Sequence, residues 1–92
     1  MRQHLVFVGY LELGPDKYLQ IQIFGIGEEQ TTLDRFLEDI LFQGSFHIAC
    51  EKNNKIFYSG ESLCYTMGNV YGTVFCVKRE FIGERLYGKI YT

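Results

Sequence analysis

The stretch that decides the fold runs from Thr31 to Gly44 and reads TTLDRFLEDILFQG. Leu33, Phe36, Leu37, Ile40 and Leu41 recur at i, i+3, i+4, i+7 and i+8, which puts them on one apolar stripe of an α-helix. Thr31 takes the N-cap position, and Asp34, three residues on, stands where a capping box has Glu or Gln. Gly44 follows the last residue of the stripe and suits the left-handed position that ends a helix. No other stretch has so clean a helical period, so the spacing predicts a single amphipathic helix.

The side of this helix away from the stripe is acidic. Asp34, Glu38 and Asp39 lie there, with Glu28 and Glu29 just upstream and Arg35 as the one base between Glu28 and Asp39, a local net charge of −4. Acids early in a helix also suit its dipole, so a solvated face is the plain alternative to a binding face. Phe42 falls about 180° from the middle of the stripe at 100° per residue. That position suits contact with a second chain, although singly exposed apolar residues are common.

Outward from the helix the period changes to two. His4 to Leu13 reads as a strand with Leu5, Phe7, Leu11 and Leu13 on one face, and Val6, Val8 and Tyr10 on the other. Gly14-Pro15-Asp16-Lys17 is turn chemistry, with Pro15 presetting φ and Asp16 tolerating the next position. Tyr18 to Ile26 returns, its Leu19, Ile21 and Ile23 alternating with Gln20 and Gln22 in the manner of a half-buried strand. The pair Gly25 and Gly27 reads as the place where this strand loosens into the helix.

Beyond the helix, Phe46 to Glu51 reads as a strand with Phe46, Ile48 and Cys50 on one side. Lys52 to Lys55 is a turn, Ile56 to Ser59 a return, and Gly60 to Met67 irregular. Gly68-Asn69 is a further turn, Val70 to Phe81 the longest strand, Ile82 to Arg85 a turn, and Leu86 to Thr92 an edge strand. The expected fold is α+β in the order β-β-α-β-β-β-β, a largely antiparallel sheet because tight turns join successive strands. One helix about 10 Å wide covers roughly two strands. The sheet must therefore curl, or a second subunit must cover the remainder.

Ninety-two residues make one domain, residues 1–92, with a core of modest size. A hydrophobic fraction of 47% excludes a disordered chain. Fifteen aromatics, seven Tyr and eight Phe, are more than a core this small accommodates, which points to an interface. No apolar run is long enough for a membrane span, and the N-terminal stretch lacks the layout of a signal peptide. Three cysteines, an odd number without framework spacing, suit reduced thiols in a cytoplasmic protein. The overall charge is −2, but residues 1–51 carry −5 and residues 52–92 carry +3. Opposite charge in the two halves favours pairing of the chain with itself, and a homodimer through Phe42 is expected.

Catalytic and metal chemistry finds little support. His47 and Cys50 are three apart on a strand and so face opposite sides, and no set of ligands has zinc spacing. Cys50, Cys64 and Cys76 lie in apolar surroundings, where cysteine is usually a small buried hydrophobe. Gly25-x-Gly27 lacks the third glycine and the lysine of phosphate loops. Val70 to Phe75 (VYGTVF) shares an aromatic pattern with RNA-binding strands but lacks their leading basic-Gly pair.

The chain is therefore expected to be a non-enzymatic protein-binding module, an inhibitor or accessory protein, without metal or cofactor. Its partner-binding residues would be Glu28, Glu29, Asp34, Glu38 and Asp39, offered to a basic site on another protein in the manner of a DNA mimic. The alternative is direct nucleic-acid binding by the aromatic and basic C-terminal third, through Lys78, Arg79, Arg85 and Lys89 beside Tyr71, Phe81, Tyr87 and Tyr91. An enzyme without a recognisable motif comes third.

Overall fold

The computed structural model describes residues 2–40, 46–50, 54–59, 61–66 and 74–92. Strands β1 (Arg2–Gly14) and β2 (Lys17–Glu28) form a long antiparallel hairpin. Asp16 adopts a positive φ of 57° in its two-residue connection, which an aspartate accepts more readily than most residues. The alternation read from the sequence is realised. Leu5, Phe7, Leu11, Leu19, Ile21 and Ile23 are buried, whereas Gln20 and Gln22 are exposed.

Helix α1 spans Leu33–Ile40 and buries Phe36, Leu37 and Ile40. Full burial of such side chains is worth roughly 1.5–3 kcal/mol each, which is what holds so short a helix on the sheet. Its cap is Thr32 rather than the expected Thr31. The Arg35 backbone N–H donates to Thr32 Oγ1 at 3.3 Å, and the Phe36 N–H donates to the Thr32 carbonyl at 2.9 Å. Starting the helix at Leu33 puts Arg35, not Asp34, at the third helical position, so no capping box forms. The expected helix end at Gly44, and with it Leu41 and Phe42, lies outside the described residues.

The single-helix expectation is corrected. A 3₁₀ turn (Arg79–Phe81) and a one-turn helix, α2 (Ile82–Arg85), lie where the sequence suggested a strand end and a turn. The reason is local. Ile82 is buried at 1% exposure while Lys78, Arg79, Glu80 and Phe81 are exposed, so a tight coil is needed to bring Ile82 inward. One helical turn has no period to read.

The strand count is also corrected, from six to seven among the described residues: β3 (Phe46–Cys50), β4 (Lys55–Ser59), β5 (Ser62–Thr66), β6 (Val74–Lys78) and β7 (Leu86–Tyr91) follow the hairpin. They divide into two antiparallel sheets, ordered β3-β2-β1-β7 and β4-β5-β6. The stretch expected to be irregular supplies β5, the central strand of the smaller sheet, because Leu63 and Tyr65 enter the core. β7 is an edge strand, as expected, paired with β1. One apolar cluster joins both sheets to both helices.

Two glycine contacts fix how neighbouring elements meet. Gly9 of β1 and Gly88 of β7 are directly opposed. A Cβ on Gly9 would collide with the Tyr87 carbonyl and one on Gly88 with the Val8 carbonyl. Gly25 lies within β2, not at its end, and a Cβ there would sit 2.5 Å from Ile40 Cδ1. Its absence of a side chain seats α1 on the sheet, which replaces the expected role of releasing the chain into the helix.

Cys64 and Cys76 face each other across β5 and β6 and form a disulfide, with Cα atoms 4.1 Å apart. The expectation of three reduced thiols is thus corrected, and cysteine usage no longer argues for a cytoplasmic setting. Cys50 stays a thiol and donates to the Asn54 carbonyl at 2.8 Å. Among the described residues no helix is long and apolar enough to cross a membrane.

Candidate functional site: an acidic cleft between the helices and the smaller sheet

Seating α1 by Phe36, Leu37 and Ile40 leaves Asp34 and Glu38 exposed on the side toward α2. There the chain returns twice. Glu61 and Ser62 enter β5, and Lys78 to Glu80 leave β6. The two strand ends are tied by the Arg79 N–H donating to the Glu61 carbonyl at 2.6 Å. α2 closes the third side with Ile82, Gly83 and Glu84. These elements surround a cleft of about 860 Å³.

The cleft is acidic. Asp34, Glu38, Glu61, Glu80 and Glu84 line it against Lys78 and Arg79, five carboxylates to two bases and a net of −3. Leu37 and Ile82 form its apolar floor. Asp34 is held closely against α2, since a Cβ on Gly83 would lie 2.7 Å from its Oδ1.

The sequence-derived acidic set divides. Asp34 and Glu38 line the cleft; Glu28, Glu29 and Asp39 do not. Glu28 ends β2 opposite Arg2, and Glu29 lies in the turn beyond it. Glu61, Glu80 and Glu84 were missed, because they come from segments that carry no local excess of acid. Phe42 lies outside the described residues.

The basic set of the nucleic-acid alternative is dispersed. Lys78 and Arg79 line the acidic cleft. Arg85 lies 3.9 Å from Glu12, a partly exposed ion pair, and Lys89 stands on the far face of the larger sheet. Phe81 is exposed, Tyr87 and Tyr91 share that far face with Lys89, and Tyr71 is outside the described residues. The Tyr87 hydroxyl donates to Glu12 Oε2 at 3.2 Å. The Glu12 charge beside it raises the phenol's pKa above its ordinary 10.0.

His47 pairs with Phe24 on the outer face of the larger sheet, whereas Cys50 pairs with Ile21 on its buried face. The strand alternation thus separates the two by the thickness of the sheet. Comparisons with protein families, with curated proteins and with solved structures return no match.

Proposed function

We propose that this chain is a non-enzymatic protein-binding module, an inhibitor or accessory protein whose acidic cleft receives a basic element of its partner in the manner of a DNA mimic. One observation carries the reading: three chain segments distant in sequence converge their carboxylates on one cleft with an apolar floor. Like charges gathered in this way repel one another, so the arrangement is disfavoured for the isolated fold and relieved when a cationic partner arrives. The cleft is open enough to admit Lys or Arg side chains, and Leu37 and Ile82 would pack against their aliphatic stems. Asp34 and Glu38 are the shared element with the acidic helix face, while Glu61, Glu80 and Glu84 extend the site beyond it.

The test uses the immobilised chain and a nuclease-treated lysate. The captured protein should elute as salt rises, because the attraction is screened over about 8–10 Å at physiological ionic strength. It should be displaced by heparin or duplex DNA, and it should be lost when Glu38→Lys and Glu61→Lys are combined. Capture indifferent to these two reversals would refute the cleft as the site. A shift of labelled nucleic acid by the isolated chain, abolished by changing Lys78, Arg79, Arg85 and Lys89, would replace the reading with its alternative.

A further inference from the structure

The larger sheet has a second face, turned away from the core. Strand alternation places Val6, Val8 and Tyr10 of β1 on it, with Tyr18 and Phe24 of β2. His47 and Ala49 of β3 and Tyr87, Lys89 and Tyr91 of β7 share it. The register aligns these side chains in rows across the four strands: His47, Phe24, Val6 and Tyr91 in one, and Ala49, Gln22, Val8 and Lys89 in the next. Ring contacts run across the strands. Tyr18 meets Tyr87 edge-on with centroids 6.1 Å apart, and Phe24 lies against His47 at 6.2 Å.

Antiparallel sheets often leave one face in water, but that face is then polar. Here Tyr10, Tyr18, Phe24, Ile26, Tyr87 and Tyr91 are each 40–54% exposed. Side chains of this size present roughly 150–250 Å², so the six together hold about 550 Å² in water. That lies at the upper end of the range for the largest apolar patch of an ordinary monomer, about 300–600 Å², a patch that is often functional.

We propose that this face is the seat of a second copy of the chain, packed sheet against sheet about a two-fold axis lying between them. The area supports it. Two such faces remove about 1,100 Å² from those six side chains alone. Val6, Val8, Gln20 and Gln22 bring the total into the range of roughly 1,200–2,000 Å² that stable interfaces bury. Charge supports it as well. Each end of the face carries both signs, Arg2 opposite Glu28 at one end and Glu12 beside Arg85 at the other, so either pairing of ends sets acid near base. Lys89 lies between them. A nucleic-acid strand needs a cationic surplus along its path, and a face this close to neutral does not supply one. The interface leaves the acidic cleft free, because α1 and the smaller sheet lie on the other side of the larger one.

Sedimentation equilibrium from low to high micromolar concentration should show the mass rising to twice that of the chain. Combining Tyr10→Glu with Tyr91→Glu should weaken association tenfold or more, with far-ultraviolet dichroism unchanged. A milder probe covers the case in which that variant fails to fold. Gln22→Cys in a Cys50→Ser background places a single reactive thiol near the centre of the face. Two copies packed at the usual sheet spacing of about 10 Å should then be joined by a bismaleimide of similar reach. A wild-type chain that stays monomeric overturns the proposal. So does a dimer untouched by the two glutamates, or a Gln22→Cys chain that does not cross-link at concentrations where it is dimeric. A monomer that shifts labelled single-stranded RNA, with loss on Tyr10→Glu and Tyr91→Glu, gives the face to nucleic acid instead.

Discussion

The notch at Gly25 allows a quantitative test of how α1 is seated. A Cβ at this position would lie 2.5 Å from Ile40 Cδ1, 2.7 Å from Cγ2 and 3.0 Å from Cγ1. These are the three atoms that Ile40→Ala removes. Ile40 is fully buried, so that substitution alone loses three carbon groups at about 0.8 kcal/mol each plus a cavity term, about 3–4 kcal/mol in all. Gly25→Ala alone forces a methyl into the isoleucine and should cost about 1–3 kcal/mol. In the double variant the methyl introduced at position 25 enters space that the isoleucine has vacated. The strand also gains about 0.5–1 kcal/mol from the stiffer unfolded chain. The double variant should therefore be no less stable than Ile40→Ala alone, and the two changes should be non-additive by about 2 kcal/mol, within the range seen for residues in contact. Urea unfolding of the four proteins measures this, since a chain of this size has about 5–14 kcal/mol to lose. Additivity to within about 0.5 kcal/mol, the behaviour of independent sites, would refute the contact and the seating it implies.

Three further outcomes follow from other contacts. Gly9→Ala should cost about 3 kcal/mol or more and speed amide exchange in β7, because its methyl meets backbone that cannot turn aside. Gly14→Ala, where a Cβ meets nothing within 4 Å, is the control and should change stability by under about 1 kcal/mol. Reducing the Cys64–Cys76 bond, which closes a loop with sequence separation 12, should lower the unfolding free energy by about 3 kcal/mol; an unchanged urea midpoint in reductant would count against the bond. The Tyr87 pKa is raised chiefly by the charge of Glu12, so the native state holds that proton longer than the unfolded chain. Its contribution to stability is present below pH 10.0 and lost as pH climbs through the native value. In an NMR titration Glu12→Gln should bring the Tyr87 transition back toward 10.0, and a transition that does not move would contradict the assigned cause.

What the sequence discloses follows the range of the interactions. The β1–β2 hairpin was legible because Leu19, Ile21 and Ile23 alternate with Gln20 and Gln22, a pattern that depends on burial of one face alone. The apolar stripe of α1 was legible for the same reason. β5 was not, because Leu63, Cys64 and Tyr65 are all buried and so show no alternation. α2 was not, because a single turn has no period. The division into two sheets depends on pairings between distant strands. The acidic cleft was half legible: Asp34 and Glu38 stand out on the helix, but Glu61, Glu80 and Glu84 acquire meaning only once β5, β6 and α2 are placed. The disulfide had a signal that the odd cysteine count obscured. Cys64 and Cys76 are equidistant from residue 70, beside the Gly68-Asn69 pair, so a hairpin centred there would set them opposite each other.

That bridge separates two properties that are usually one. With Cys64 joined to Cys76, the chain between them is a closed covalent ring. A protease that cuts once inside the ring leaves a single molecule, seen as one band on a non-reducing gel and two on a reducing gel. The shorter fragment would carry α2 and β7, the strand that borders β1. While the bridge holds, β7 stays tethered and its return to β1 is a first-order event. Once thiols reduce the bridge, the same return depends on fragment concentration. For a nicked chain, then, the reducing power of its surroundings, more than the cut itself, decides when β7 departs.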